Sequence, residues 1–254
     1  MKKSQHFVAQ DGHMKTRNKP LKGLLQLNYL EYTNLTHAVG PLDLPELICQ
    51  TTVHPDYLAL FSQRSLYHHT KRTCVCFFQY DNVFDGQNGL ANAIYYKNKK
   101  QLEQFKERFK GVKFFISPDY SLLGDVDPIE NLYRMKRARL VSIWFAKELN
   151  AIVYPLISYP NLDYLPICLT GLEKCTAVAF STKGYMQDPA EREMLKMAIR
   201  QTTDYLPLTD ILVYDVCQDN YRTMELFRYA VEKDIRIIIP PNTLKVRNQE
   251  RRVR

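Results

Sequence analysis

The chain has 254 residues, of which 45% are hydrophobic and 24% are charged, and these proportions are ordinary for a soluble globular protein. No run of 18 apolar residues occurs, and polar residues follow the Met1-Lys2-Lys3 start, so the sequence predicts a cytoplasmic protein without a membrane span or a secretory signal. The net charge is +8, and much of the basic excess lies near the two ends.

This charge distribution predicts three segments. They are a flexible basic tail over residues 1–23, a single α/β domain over residues 24–244, and a basic tail over residues 245–254. Residues 24–72 of the domain are less regular and are interpreted as an N-terminal cap or an edge segment. Basic tails attract polyanions without reading sequence, so they predict contact with DNA or RNA; solvated ends that aid solubility are the alternative.

From about residue 73, apolar runs alternate with helical patterns. The runs are almost continuously apolar, as expected for strands that are covered on both faces. Between them, Asp127-Pro128 and Asp188-Pro189 each combine a helix N-cap with proline at the first helical position. The alternation predicts an α/β fold of about six mostly parallel strands, either an incomplete (β/α) barrel or an open doubly wound sheet. The predicted strands are residues 74–80, 112–117, 151–158, 176–181, 210–215 and 235–240.

Acidic side chains follow three of these predicted strands. In parallel α/β folds, ligands bind where the carboxyl ends of the strands meet. Asp81, Asp119 and Asp215 are therefore candidate catalytic residues, because carboxylates on one rim could hold Mg²⁺ or divide into a general acid and a general base. Aspartate is also a good turn former and helix cap, so a structural role is the alternative.

Hydroxyl and basic groups near these acids are candidate ligand-binding residues. Ser117 and Ser121 flank Asp119 in Ser-Pro-Asp-Tyr-Ser, and the segment FSTKGY (180–185) has the ingredients of an anion-binding loop. Arg137 falls in the apolar stripe of the helix PIENLYRMKRARLVSIWF, where it reaches a carboxylate or an anion, pairs structurally, or extends to the surface. The candidates from the FSTKGY segment are Ser181, Thr182, Lys183 and Gly184.

Four segments of the chain resemble a family known as domain of unknown function 4417, whose members come from bacteria, plasmids and phages. They are FFQYDNVFD (77–85), ISPDYSLLGD (116–125), the NLYRMKRAR helix and AVAFSTKGY (177–185), and the stretch GQNGLANAIYY departs from the pattern. The resemblance implies an α/β fold and an origin in a mobile genetic element, and it implies no reaction. The positions that match the family pattern are Asp81, Ser117, Asp119, Ser121, Arg134, Ser181, Thr182 and Gly184.

Three functions stay open at this point. The first is an enzyme that acts on a phosphate-containing or nucleic-acid substrate, with Asp119 and Asp81 as acid/base groups or metal ligands and with Lys183 and Arg137 holding the anion. The second is a non-catalytic nucleic-acid-binding accessory protein of a phage or plasmid that uses its basic tails. The third binds a host protein partner, for example as a host-defence antagonist.

Overall fold

The computed structural model describes residues 6–8, 14–16 and 37–253 of the chain, with side chains described from residue 37 to residue 250. Two short N-terminal strands, β1 (His6–Val8) and β2 (Met14–Thr16), pair antiparallel. The rest of the predicted N-terminal tail, and residues 24–36 of the predicted cap, lie outside the described residues. A second antiparallel pair, β3 (Ala38–Val39) and β4 (Leu44–Pro45), precedes the main sheets.

Two parallel sheets confirm the predicted α/β class. The first sheet contains four strands in the order β5-β6-β7-β8, and the second contains three strands in the order β11-β10-β9. Strand β5 comes from the segment that the sequence analysis interpreted as a cap or an edge. The bounds are β5 (Tyr57–Leu60), β6 (Thr73–Cys76), β7 (Phe114–Ile116), β8 (Ile152–Tyr154), β9 (Ala177–Ser181), β10 (Asp210–Tyr214) and β11 (Arg236–Ile238).

The two sheets meet on both sides without forming a closed barrel. Single parallel bridges join them, one between Leu156 and Ala179 and the other between Leu58 and Asn242. Within each sheet the neighbouring strands are consecutive in sequence. A doubly wound sheet reverses its strand order at a switch point. The consecutive order therefore corresponds to the incomplete barrel rather than to the doubly wound alternative.

Helices follow most of the strands and cover the sheets. The two predicted N-caps are confirmed, because the Asp127 side chain accepts from the Glu130 amide and the Asp188 side chain accepts from the Ala190 amide. The helices are α1 (Asp81–Phe84), α2 (Leu90–Tyr95), α3 (Lys99–Arg108), α4 (Pro128–Glu148), α5 (Leu165–Leu169), α6 (Pro189–Tyr205), α7 (Asn220–Leu226), α8 (Arg228–Glu232) and α9 (Thr243–Val253), with 3-10 turns at Arg64–Leu66 and Leu162–Tyr164.

The C-terminal segment differs from the predicted tail. Residues 245–253 belong to α9, because the Asn242 side chain accepts from the Lys245 amide and the Lys245 ammonium is buried against Asp215. A basic residue that is paired inside the protein no longer contributes to an exposed cationic end. Within the described part of the chain, no helix combines the length and the apolar character needed to cross a membrane.

Aromatic stacking connects the layers of the core. Phe115 of β7 stacks on Phe145 of α4 with ring centroids 4.1 Å apart, which fixes the longest helix to the four-stranded sheet. Phe78, just after β6, stacks on Tyr214 at the end of β10 at 4.4 Å. Such offset pairs add about 0.5–1.5 kcal/mol beyond the area they bury. The second contact packs the two sheets together directly below their carboxyl ends.

Candidate functional site

A cavity of about 380 Å³ opens where β7, β8 and β9 end. Three segments that follow these strands form most of its wall, namely residues 119–124, 156–160 and 181–185, and the first turns of α6 close one side. This is the edge at which the sequence analysis placed a ligand site. The polar residues that line the cavity are Asp119, Ser158, Tyr159, Ser181, Lys183, Tyr185 and Glu191.

Asp119 is the acidic side chain of the cavity whose pKa is shifted into the neutral range. Its side chain is partly buried, and within the described residues its carboxyl makes no hydrogen bond. Desolvation and, to a smaller extent, the charge of Asp81 raise its pKa, Lys183 acts in the opposite direction, and the resulting pKa is about 7. The protonated and ionised forms of Asp119 are therefore both populated near neutral pH.

Lys183, in the loop after β9, lines the same cavity as Asp119. Its ammonium donates to the carbonyl oxygen of Phe78 at 2.5 Å, and its backbone amide donates to Oγ of Ser181 at 3.1 Å. Gly184 follows with a φ of +96°, in the left-handed region that favours glycine. The predicted anion-binding loop therefore exists as a turn, with Ser181, Lys183 and Gly184 all at the cavity wall.

Four polar wall residues, Ser158, Tyr159, Tyr185 and Glu191, were not among the predicted site residues. Tyr159 is 5% exposed, and within the described part of the chain its hydroxyl makes no hydrogen bond, although the Tyr185 ring stacks beside it at 6.4 Å. Glu191 lines the cavity from the first turn of α6. Tyr159 directly follows the end of the third predicted strand, so the strand-end rule alone could have identified it. Tyr185 ends the FSTKGY segment (180–185) that the sequence analysis singled out, whereas no comparable signal marks Glu191.

Asp81 forms a cluster with two other predicted residues instead of lining the cavity. Its carboxylate accepts from the amide and the hydroxyl of Ser121, at 3.2 and 3.0 Å, and from Nη1 of Arg134 at 3.1 Å. Arg134 also donates to Glu130 at 2.8 Å. These contacts connect the loop that carries Asp119 to α1 and α4.

Asp215 is separated from the cavity by complete burial. It is 0% exposed, and its carboxylate accepts from the Thr182 hydroxyl at 2.9 Å, the Cys217 amide at 3.0 Å and the Lys245 ammonium. Burial alone raises the pKa of Asp215, but the hydrogen bonds from Lys245 and Cys217 outweigh it, and the resulting pKa is lowered. Thr182 is fully buried in the same network.

The three predicted aspartates are therefore not one ligand set. Asp119 lines the cavity, Asp81 is paired with Arg134, and Asp215 is paired with Lys245. Across the described ranges, no three carboxylate, imidazole or thiol side chains lie close enough together to hold a metal ion. Mg²⁺ binding therefore stays a prediction, and two of its three proposed ligands, Asp81 and Asp215, each already have a cationic partner.

The remaining predicted residues, Ser117 and Arg137, lie away from the main cavity. Ser117 is buried and its Oγ is 2.8 Å from Oγ of Ser142. Arg137 reaches a carboxylate, as one of its predicted roles required, and Nη2 binds both oxygens of Asp85 at 2.8 and 2.6 Å. The same guanidinium donates to the Tyr133 hydroxyl at 3.0 Å. Arg137 is therefore held in an internal ion pair, and its contact with a bound anion stays a prediction.

Comparisons with known proteins add a family and one distant relative. The family model described as "Domain of unknown function (DUF4417)" matches residues 36–232. The chain is 23% identical over 112 residues to the "Gene 1 protein" of Mycobacterium phage L5, an alignment that covers 44% of this chain and 48% of the phage protein. This chain thus spans about half the length of that relative. No solved structure matches at a significant level. These findings fit a phage-type protein.

The raised pKa of Asp119 should make the protein less stable as pH rises. A carboxyl with a pKa of 3.8 when unfolded and about 7 when folded holds its proton more tightly in the folded state. Its contribution to the free energy of unfolding is present below pH 4 and is lost up to pH 7, by at most about 1.4 kcal/mol per pH unit.

Asp119→Asn removes this dependence, so the variant should gain stability over the natural protein between pH 5 and pH 8, measured by urea unfolding. Asp125→Asn, an exposed change in the same loop, is the matched control and should follow the natural protein. A constant difference between Asp119→Asn and the natural protein across this range would contradict the assigned pKa.

Removal of the Lys245 charge should destabilise the fold strongly. Lys245→Met leaves the fully buried Asp215 carboxylate without its cation, and breaking a buried pair in this way costs about 3–5 kcal/mol. Adding Asp215→Asn should recover part of this loss in denaturant unfolding. Lys196→Met is the control, because its partner Glu193 is exposed and such pairs contribute about 0–1 kcal/mol. A loss no larger than that of the control would show that Lys245 is not buried in solution.

Proposed function

We propose that this chain, which belongs to the DUF4417 family of domains of unknown function, is a phage-type enzyme whose active site is the cavity at the ends of β7, β8 and β9. One observation carries the proposal: Asp119 faces this cavity without a hydrogen-bond partner among the described residues and with a pKa of about 7. A structural aspartate would be expected to cap amides or pair with a cation, as Asp81 and Asp215 do.

Asp119 would act as a general acid or a general base. Catalytic efficiency is highest when the pKa of the transferring group lies near the working pH, because both the correct protonation state and the driving force are then available. The desolvation that raises the pKa of Asp119 supplies this match. The enclosing wall from Tyr159 and Tyr185 limits access of water to the transferred proton.

The substrate is proposed to be a small phosphate-containing molecule. A cavity of about 380 Å³ falls in the range of small-molecule sites, which is about 300–1,000 Å³. Lys183 offers a cation, and the turn at Ser181 and Gly184 allows the backbone to approach a phosphate group closely. With Asp119 protonated, the charges of Lys183 and Glu191 balance within the wall. An anion then meets no net negative charge.

Binding of inorganic phosphate tests this assignment directly. Titration calorimetry at pH 6 should detect phosphate binding that Lys183→Met weakens by about tenfold or more, since one charge-assisted contact contributes about 1.5–3 kcal/mol. For the natural protein the affinity should fall between pH 6 and pH 8 as Asp119 ionises, and Asp119→Asn should reduce this fall. Unchanged affinity in Lys183→Met would refute the anion-binding role, and Lys196→Met, an exposed lysine on α6, is the control.

A second candidate function, non-catalytic binding to nucleic acid, is favoured by the charge of the C-terminal helix. Arg247, Arg251 and Arg252 are close together in sequence on α9, whereas Lys245 is used inside the protein. A change of all three arginines to Gln should weaken DNA or RNA binding and flatten its salt dependence, because fewer counterions are released. Arg228→Gln with Lys233→Gln, at the first residue of α8 and directly after its last, is the charge control. Equal affinity and salt slope in both variants would remove this candidate.

A further inference from the structure

We infer that the active-site cavity has a side pocket, built around Arg139, that binds a carboxylate group of the substrate. This inference rests on the proposed function, because it assigns a second anionic group to the same ligand. The side pocket is lined by Arg139, Ser117, Ser158, Met135 and Cys168, together with apolar residues. It continues the main cavity, because Leu122, Leu156 and Ser158 line both spaces.

Arg139 is a buried cation without an anionic partner. It is 4% exposed, and its hydrogen bonds go to two neutral carbonyl oxygens, from Nη1 to Pro45 at 2.9 Å and from Nη2 to Cys168 at 3.0 Å. Within the described part of the chain it forms no ion pair, whereas Arg134 and Arg137 each bind an aspartate. A buried charge is costly unless it is paired. A bound anion would supply the missing partner.

The backbone is shaped to let this guanidinium approach. Gly171 has a φ of +81°, and a Cβ at this position would lie only 2.7 Å from Nη1 of Arg139. A guanidinium has five N–H groups, of which Arg139 uses two in the hydrogen bonds named above. Burial lowers the pKa of Arg139 to about 10, so the group still carries its charge at neutral pH. The Arg139 guanidinium is thus held by two hydrogen bonds, and its remaining N–H groups can donate to a ligand.

The size of the side pocket selects a carboxylate over a phosphate group. Its volume is about 40 Å³, and one water needs about 10–15 Å³ on the same measure. About three non-hydrogen atoms therefore fit, which is the size of a carboxylate, whereas a phosphate group has five. Arg is suited to this ligand because its planar fork matches two carboxylate oxygens. Among the described residues no acidic side chain lines the pocket to repel it.

The resulting substrate is a small molecule with two anionic ends. Its carboxylate would lie at Arg139, its phosphate group at Lys183, and the bond or proton on which Asp119 acts would lie in the main cavity. Such a molecule is recognised at both ends before proton transfer, which lowers the entropic cost of orienting the reacting group.

Acetate is the probe that tests the side pocket. Thermal unfolding of the natural protein is followed at constant ionic strength with sodium acetate, sodium chloride or sodium phosphate. A ligand at ten times its Kd raises the folding equilibrium constant by about tenfold, which corresponds to a rise in Tm of about 3–5 °C. Acetate should produce this rise in the natural protein beyond that seen with chloride. No acetate-specific rise in the natural protein would overturn the proposal, whatever the variants do.

Two variants locate the effect. Ala138→Leu keeps Arg139 but fills the side pocket from α4, and it should abolish the acetate-specific rise while the protein stays folded. Arg139→Met should also abolish the rise where the protein folds, and Arg228→Met on the surface of α8 should retain it. A rise of equal size in Ala138→Leu would overturn the proposal, because acetate would then bind elsewhere.

The failure of this proposal can be separated from the failure of the proposed function. Asp119→Asn and Lys183→Met should both keep the acetate-specific rise, because neither residue lines the side pocket. If acetate raises the Tm specifically but Lys183→Met leaves the phosphate affinity unchanged, the side pocket is supported and the proposed function is refuted. If phosphate binding follows Lys183 but acetate produces no specific rise, the active-site assignment is supported and the side pocket is overturned.

Discussion

The cost of burying charge determines which polar residues at the strand ends are available for chemistry. Asp81 pairs with Arg134, Asp85 pairs with Arg137, and Asp215 pairs with Lys245. The charge of each of these acids is therefore neutralised within the protein. Loss of one partner of a buried pair destabilises the fold strongly, and this applies above all to Asp215 and Lys245, since Asp81 and Arg134 are 26% and 28% exposed. Asp119 and Arg139 have no such partner among the described residues, and both face cavities.

Two of the paired acids, Asp81 and Asp215, hold the loops after β7 and β9 that form part of the cavity wall. The Asp81 carboxylate holds Ser121 two residues after Asp119, and the Asp215 carboxylate holds Thr182 directly before Lys183. Each contact joins a loop to a different part of the chain. The relative position of Asp119 and Lys183 is thus set by hydrogen bonds on both sides of the cavity, and side chains that are fixed in this way keep a functional geometry without depending on loop flexibility.

Local sequence signals were sufficient for the class of fold, and they were insufficient for the pairing of charges. The Asp127-Pro128 and Asp188-Pro189 caps and the long apolar runs depend on neighbouring residues alone, and the structure confirms them. The partnership of Asp215 with Lys245 joins residues 30 apart, and a basic residue near the end of a chain looks the same whether it is buried or exposed. Long-range packing also determines that Arg137 pairs with the Asp85 carboxylate, whereas Arg139 donates only to carbonyl oxygens.

Asp119 and an anionic ligand would affect each other through the charge of the cavity. Asp119 already resists ionisation because of desolvation and the nearby Asp81. An anionic group bound at Lys183 adds a negative charge near Asp119 and offsets the positive charge of Lys183. Both effects raise the pKa of Asp119 further. The bound complex would therefore hold the proton on Asp119 at neutral pH. The direction of this coupling favours proton donation to the substrate, and it makes general acid the role that Asp119 would take at the start of a reaction.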